Sequence, residues 1–295
     1  LLSDNPTNKV AMQDGSFINY LPAKHIKMPV DKESVLANKV VPAGWEKNVV
    51  DEMDWTYDAN HMTRAEIALL GILKTNNWKR PIYFTNYTPD DKMAGLSKYL
   101  VDEGLVKKLM PVAAVPHDEH ESLVNLEKLY EHARGNLDWG NYGKQGFVDV
   151  DSRNYMTNFV LSQIYERTTQ LLKAAGEWEK AKEVALVAAS ILPQRVYDAQ
   201  EAYHYGEIVD TLYKVKETTL ANNIVDRHVR FLDDNLPYQM ALARDQPQAL
   251  DIRSIQFGMA ALERYRSIVD NKGNAKRYAY VDRVYQQYRD RFFAE

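Results

Sequence analysis

Two histidines have the spacing that a metal site on a helix requires. His117 and His120 lie three positions apart, so a helix would turn both imidazole rings to the same side. The intervening Asp118 and Glu119 favour a simpler interpretation, a solvated helix start whose acidic side chains complement the helix dipole. We assign no metal ligand here, although the sequence alone leaves metal binding at this pair open.

A second candidate is the segment 51–58, which combines four carboxylates with Trp55 and Tyr57. Carboxylates beside aromatic faces suit a cation or a sugar, so the segment could belong to a carbohydrate-active enzyme. The alternative is an ordinary surface loop. Carboxylate pairs are common in proteins, and without their geometry they do not establish catalysis.

The sequence lacks the motifs of the common catalytic classes. No serine lies in a nucleophile elbow, no glycine-rich loop opens a helix, and no H-E-x-x-H is present. There is no cysteine, which excludes disulfides, thiolate catalysis and cysteine-ligated zinc. The net charge of -4 provides no general attraction for nucleic acid. We therefore expect no catalytic residue, no cofactor and no nucleic-acid partner.

Tyrosine is abundant, with 19 residues, and several lie close together in the second half of the chain. Tyr197, Tyr203 and Tyr205 cluster near the start of a predicted helix, with Tyr213 at its end. Tyrosine rings combine an apolar body with a polar hydroxyl, which suits a hydrated groove. We predict that any ligand groove of the helical region includes Tyr197, Tyr203 and Tyr205.

The elements that would position these residues divide the chain into parts. Residues 1–115 read as a small α/β domain, with strands at Phe17–Leu21 and His25–Val30. A helix with a capping box at Thr63 precedes a buried strand at Pro81–Thr85. A second helix at Gly95–Glu103 then precedes a strand, Val106–Val112. Residues 116–151 are predicted to form a connector helix and loop, with the helix spanning His117–Ala133.

Residues 152–295 are predicted to form an array of antiparallel helical hairpins, because long amphipathic stretches alternate with short breaks. The first hairpin has the spacing of a tetratricopeptide second helix, with Gly176, Ala181, Ala185, Ala188 and Pro193. The later hairpins depart from the repeat. The overall fold class is therefore α+β, a small α/β unit followed by a tetratricopeptide-like array. The predicted helices are Asn154–Ala175, Trp178–Leu192, Ala199–Tyr213, Thr218–Leu232, Leu250–Asp270 and Ala275–Phe292.

Several segments in order carry a family resemblance. The most specific is Asn76–Phe84, with the sequence NNWKRPIYF; the others are Ile18–Lys24, Pro29–Glu33, Gly95–Leu105, Leu109–Val112, Trp139–Asn141 and Arg153–Phe159. The chain resembles the soluble C-terminal region of multi-spanning membrane proteins of unknown function from Bacteroidota. The membrane half of those proteins looks like a protein O-mannosyltransferase.

The resemblance implies a non-catalytic accessory domain on the periplasmic side of the inner membrane. Its partners would be the membrane half of the parent protein and an acceptor protein or a glycan. The catalytic loops would lie in the membrane half, so the resemblance transfers no catalytic residue to this chain. Asn77, Trp78 and Arg80 are candidates for contact with a sugar or with that half, although Trp78 could instead cap the preceding helix.

The chain begins at Leu1 without methionine, and we interpret it as a piece of a larger protein. It contains no run of the roughly 20 apolar residues that a membrane helix needs. The alternative to a membrane-enzyme accessory domain is a tetratricopeptide-type interaction scaffold unrelated to glycosylation. Membrane-length segments in the parent sequence upstream of Leu1 would distinguish the two.

Overall fold

A computed structural model describes residues 9–11, 17–19, 25–57, 62–113, 123–138, 149–191, 196–246, 248, 252–270 and 274–292. The chain forms two compact units, Leu1–Asn125 and Leu126–Glu295. Small sheets occupy the first unit and helices the second. This confirms the predicted mixed α+β class. The histidines His117 and His120 lie outside the described residues.

The first unit, here called the sheet unit, contains three small sheets. β1 pairs antiparallel with β2, and β3 pairs antiparallel with β4. The third sheet has the order β5-β7-β6-β8, in which only β6 and β8 run parallel. The strands are β1 Lys9–Ala11, β2 Phe17–Asn19, β3 His25–Pro29, β4 Glu52–Thr56, β5 Tyr83–Thr85, β6 Leu100–Asp102, β7 Val106–Leu109 and β8 Leu123–Val124.

Two helices of the sheet unit begin at side-chain caps. α1 (Lys32–Ala37) follows Asp31, whose carboxylate accepts a hydrogen bond from the Ser34 amide. α2 (Arg64–Asn76) starts at Thr63, where the predicted capping box with Glu66 is present in both directions. Such caps satisfy backbone amides that the first helical turn leaves without partners. The predicted start of α2 is therefore confirmed at the level of individual hydrogen bonds.

The predicted helix at Gly95–Glu103 is wrong. Only Leu96–Tyr99 forms a short 3-10 turn, and the chain continues directly into the interior strand β6. Gly95 has a φ of 78°, and a Cβ there would lie 2.5 Å from the Thr56 carbonyl oxygen. The backbone must therefore turn sharply against β4, and pairing with β7 and β8 then outweighs the local helical pattern.

Two further strand predictions need correction. The segment Pro81–Thr85 was expected to be a buried strand, but β5 lies at the edge of its sheet and Tyr83 is exposed. Leu123 was expected on a helix and instead lies in β8. The sheet is antiparallel apart from one pair, so it lacks the parallel α/β arrangement that alternating helices and strands suggested.

The second unit, here called the helical unit, begins with α3 and a following π-helical turn at His132–Asn136. A π-helical stretch, Met156–Glu166, joins α4 to α5, and α7 packs against both this stretch and α9. The helices are α3 Leu126–Glu131, α4 Val150–Tyr155, α5 Arg167–Ala174, α6 Trp178–Ile191, α7 Ala199–Lys214, α8 Thr218–Asp245, α9 Ile252–Asp270 and α10 Ala275–Phe292.

The hairpin of α5 and α6 has the close packing that its small residues predict. Gly176 turns the chain with a φ of 77°, which a residue without Cβ adopts readily. Ala181, Ala185 and Ala188 are fully buried on one side of α6. Small side chains at these positions let neighbouring helices approach each other. Pro193 lies outside the described residues.

α8 is longer than predicted, since the pattern suggested an end at Leu232 and the helix continues to Asp245. It passes through Pro237, which lacks the amide needed for one backbone hydrogen bond. Leu236 is buried, and its Cδ2 would lie 2.9 Å from a Cβ at Gly258 of α9. Packing against α9 therefore sustains the helix beyond its local pattern. No helix in the described part of the chain is long and apolar enough to cross a membrane.

Candidate ligand cleft in the helical unit

The predicted contact residues of the sheet unit form an ordered turn after α2. Asn77 has a φ of 43°, its amide donates to the Asp31 carboxylate at 2.9 Å, and its carbonyl accepts from the Ser34 hydroxyl at 2.6 Å. Trp78 also has a positive φ, 61°, and its ring is buried in the core of the sheet unit. These contacts favour a structural role for both residues. Asn77 bonds to Asp31 and Ser34, and the Trp78 ring packs in the core of the sheet unit.

Arg80 is exposed, in contrast to the buried Trp78. The Asn76 side chain holds the Arg80 backbone, accepting from its amide at 3.1 Å and donating to its carbonyl at 2.7 Å. No carboxylate of the described residues lies within 4.0 Å of the guanidinium. Asn77 and Arg80 are both exposed, but the Asn77 side chain donates to Asp31, so Arg80 is the better placed of the two for an external contact.

The carboxylates of the segment 51–58 do not form an enzyme-like cluster with its aromatic rings. Glu52 and Asp54 lie within 3.5 Å of the Lys27 ammonium, and Asp51 pairs with Lys32 at 2.7 Å. Trp55 points to the opposite face of β4, where its indole N–H donates to the Ala94 carbonyl at 2.8 Å. Strand alternation therefore separates the acidic groups from the aromatic surface, and Asp58 lies outside the described residues.

The tyrosines predicted to share a groove occupy three different environments. Tyr205 is buried, and its hydroxyl donates to the Ala188 carbonyl at 2.9 Å. Tyr203 stacks near Phe257, with 5.5 Å between ring centroids, and beneath the Arg264 guanidinium. Tyr197 lines a cleft. The structure therefore does not bring the three rings together.

The cleft, here called the arginine cleft, has a volume of about 610 Å³. This is within the range of small-ligand sites in proteins. One side is a face of α8, where side chains recur at helical spacing from Arg227 to Tyr238. The lining residues are Arg153, Val196, Tyr197, Arg227, Arg230, Phe231, Asp234, Asn235 and Tyr238.

The charges that line the arginine cleft are unequal, with three arginines and one aspartate. The Arg153 guanidinium lies over the Tyr197 ring, 5.7 Å from its centroid, and its Nε is 3.8 Å from an Asp198 oxygen. Arg230 is exposed, and no carboxylate of the described residues lies within 4.0 Å of its guanidinium. The cleft therefore holds positive charge that its own acidic residue does not fully neutralise.

A buried carboxyl group lies on α7 near two of these arginines. Burial raises the pKa of Glu201 to about 8, and the neighbouring charge of Asp198 adds to the effect. The Tyr197 backbone and the charges of Arg227 and Arg153 lower the pKa of Glu201 but do not outweigh burial. At neutral pH Glu201 is therefore mainly protonated.

A second group of charges in the helical unit forms a closed network. Arg264 donates to Glu166 at 2.8 Å and to Glu207 at 3.0 Å. His204 Nδ1 lies 2.6 Å from the second Glu166 oxygen, and Lys173 donates to Glu207. Burial raises the pKa of Glu166, but hydrogen bonds from His204 and Arg264 outweigh it and hold the pKa below its usual value. The network joins the π-helical stretch, α5, α7 and α9 and leaves no unpaired acid or base among these groups.

The arginine cleft was missed in the sequence, although part of its signal was present. Arg227, Arg230, Asp234 and Tyr238 follow one another at intervals of three or four residues on one helix. Arg153, by contrast, precedes α8 by more than 60 residues, and nothing local indicates that it joins the same site. Only the helix stripe could have been recognised without the structure.

Comparison with known proteins identifies part of the chain. Residues 1–128 match the family described as TMEM260-associated domain 2. The match spans the sheet unit, including the Asn76–Phe84 segment, and covers less than half of the 295 residues. No curated protein and no solved structure matches the chain. The N-terminal part is therefore related to a TMEM260-associated domain. The Bacteroidota family and the O-mannosyltransferase-like membrane half stay predictions.

Proposed function

We propose that this chain is a non-catalytic accessory region of a membrane protein with a protein O-mannosyltransferase-like half. The region would lie on the periplasmic side of the inner membrane. The single observation that carries the proposal is the match of residues 1–128 to TMEM260-associated domain 2. The helical unit would hold an acceptor protein, a glycan or the membrane half of the parent.

The internal chemistry of the chain supports a holding role. The strongest cluster of acidic and basic side chains, around Glu166 and Arg264, is paired internally and cross-links helices. Among the described residues no group of three or more acidic or histidine side chains could hold a metal ion. Helical hairpins such as α5–α6, packed through Ala181 and Ala188, resemble tetratricopeptide arrays, which present surfaces to partners.

The side of the membrane can be tested because the chain has no cysteine. In a full parent protein whose cysteines outside this chain are replaced by serine, Ile72→Cys places a thiol on the exposed face of α2, and Leu70→Cys places one in the core. A maleimide that cannot cross membranes should label Ile72→Cys in spheroplasts and leave Leu70→Cys and the cysteine-free parent at background. Labelling of Ile72→Cys only after lysis would contradict the periplasmic location.

The non-catalytic role needs a separate experiment. The isolated chain should show no glycosyl transfer and no glycoside hydrolysis, while deletion of the chain from the parent should reduce transfer to protein acceptors. The purified parent should be compared with the deletion protein at equal membrane expression. Turnover by the isolated chain that a single substitution within it abolishes would refute the proposal.

A scaffold unrelated to glycosylation is the second candidate, and the α5–α6 hairpin favours it. The hairpin and its buried alanines would serve any protein partner equally well. The coding sequence upstream of Leu1 separates the candidates. Multiple membrane-length apolar segments would support the accessory region, and their absence would support the scaffold.

A further inference from the structure

We infer that the arginine cleft binds an anionic saccharide, a sugar that carries a phosphate or a carboxylate. The inference deepens the proposed function and rests on the holding role of the helical unit. It starts from three guanidinium groups, Arg153, Arg227 and Arg230, gathered around one cavity of about 610 Å³. Guanidinium groups pair with phosphate and carboxylate through two parallel hydrogen bonds, so an anionic group is the natural occupant.

The paired and unpaired cations of the helical unit differ clearly. Arg277 is held by Asp226 through two hydrogen bonds of 2.8 Å, and Arg264 is held by two glutamates. Arg230 has no carboxylate of the described residues within 4.0 Å, and Arg153 approaches Asp198 only to 3.8 Å. Internal ion pairs therefore satisfy the arginines of the network, whereas the exposed Arg230 keeps its hydrogen-bond donors available to an external anion.

Two other lining residues indicate that the ligand is more than an anion. Asp234 and Asn235 supply a carboxylate and a side-chain amide in the same cleft. A bare phosphate would be repelled by Asp234, whereas a ligand with hydroxyl groups can donate to its carboxylate. The occupant should thus combine an anionic group with several hydroxyl donors, and this combination is the chemistry of phosphorylated and acidic sugars.

The aromatic side chains add surfaces that a sugar ring can cover. Tyr197, Phe231 and Tyr238 line the cleft, and Tyr238 is exposed to 61%. Rings with polar edges can contact the C–H face of a sugar while its hydroxyl groups bond to neighbouring side chains. A purely apolar ligand would desolvate the exposed Arg230 guanidinium without giving it a partner, which is costly.

Binding can be measured on the complete chain by isothermal titration calorimetry in low salt. The probes are glucose 1-phosphate, glucuronate, glucose and inorganic phosphate. Glucose 1-phosphate or glucuronate should bind at least 10-fold more tightly than glucose and inorganic phosphate, and raising the salt concentration should weaken binding. The two anionic probes distinguish a phosphorylated from an acidic sugar.

Matched variants connect binding to the cleft. Arg230→Gln should weaken binding about 10-fold, as expected for the loss of one charged hydrogen-bond pair, while Arg289→Gln on α10 should leave it unchanged. Tyr238→Ala should weaken binding several-fold, and Tyr87→Ala, whose side chain is also exposed to 61%, should have no effect. Circular dichroism should show that all four variants remain folded.

Two outcomes would overturn the inference: no binding by either anionic sugar, or equal binding of inorganic phosphate. These outcomes are separable from failure of the proposed function. Periplasmic labelling without sugar binding would remove only the inference. Sugar binding by a chain that labels only after lysis would remove only the proposed location.

Discussion

Replacing Glu201 by Gln should change how the stability of the helical unit depends on pH. Glu201 is buried in α7, and burial raises its pKa from 4.5 to about 8. A carboxyl group with a raised pKa in the folded state stabilises the fold fully below pH 4.5 and loses that contribution as pH rises to about 8. Glutamine has nearly the same shape and cannot ionise, so Glu201→Gln should remove this loss.

The size of the effect follows from the pKa difference. Each unit corresponds to about 1.4 kcal/mol, so the wild-type protein should lose about 5 kcal/mol between pH 4.5 and 8 through this group. His228, also buried, has its pKa lowered by burial from 6.5 to about 3, so its contribution is complete above pH 6.5 and is lost as pH falls. Of these two groups, only Glu201 changes its contribution to stability between pH 6.5 and 8.

Urea unfolding followed by far-ultraviolet circular dichroism at several pH values measures the difference. The free energy of unfolding of Glu201→Gln relative to wild type should increase by about 2 kcal/mol from pH 6.5 to 8. Glu179→Gln, at an exposed position of α6, should show no such trend. Parallel pH profiles for wild type and Glu201→Gln would refute the assignment of Glu201 as a neutral buried acid.

Paired substitutions test packing in both units. A Cβ at Gly206 would lie 2.3 Å from the Arg264 Cδ, so Gly206→Ala should displace that side chain and destabilise the protein by about 1–3 kcal/mol. Gly71→Ala, where no atom lies within 4 Å, should stabilise α2 by about 0.5–1 kcal/mol. Trp78→Ala should cost about 3–5 kcal/mol, because the ring is buried. Arg80→Ala, an exposed change, should stay within about 0.5 kcal/mol, and thermal unfolding measures all four variants.

Helix boundaries were predictable where a local chemical signal marks them. Thr63 and Glu66 cap each other across one turn, and Gly176 adopts a left-handed conformation that ends a helix. These signals involve residues within four positions of each other, so the sequence contains the whole interaction. The predicted domain limits, 1–115, 116–151 and 152–295, remain a prediction.

The errors occur where distant parts of the chain decide the local structure. Gly95–Glu103 was expected to be helical, but β6 is held by β7 on one side and β8 on the other. α8 was expected to end at Leu232, but contacts of Leu236 with α9 extend it through Pro237. Propensity is a weak guide at such positions, because tertiary pairing contributes more than the local preference.

The candidate site was only partly predictable for the same reason. Tyr197 precedes α7 and lines the cleft, whereas Tyr203 and Tyr205 lie two positions apart on α7 and face different directions. A ligand contact by any of the three tyrosines stays a prediction. The arginines of the cleft come from α4 and α8, two elements far apart in the sequence. The cleft residues on α8 recur at helical spacing, so the sequence shows them on one face. The position of Arg153 beside them depends on how the helices pack.

The two sets of charges in the helical unit differ in whether the stability of the fold depends on them. Around Glu166, each partly buried charge has an opposite partner, and removal of one partner would leave a costly unpaired charge. In the arginine cleft, Arg230 is exposed, and the stability of the fold does not depend on a partner for its charge. Its replacement should therefore weaken ligand binding far more than it lowers stability. We therefore expect changes near Glu166 to lower the stability of the protein strongly. Changes at Arg230 should instead weaken ligand binding and leave the stability nearly unchanged.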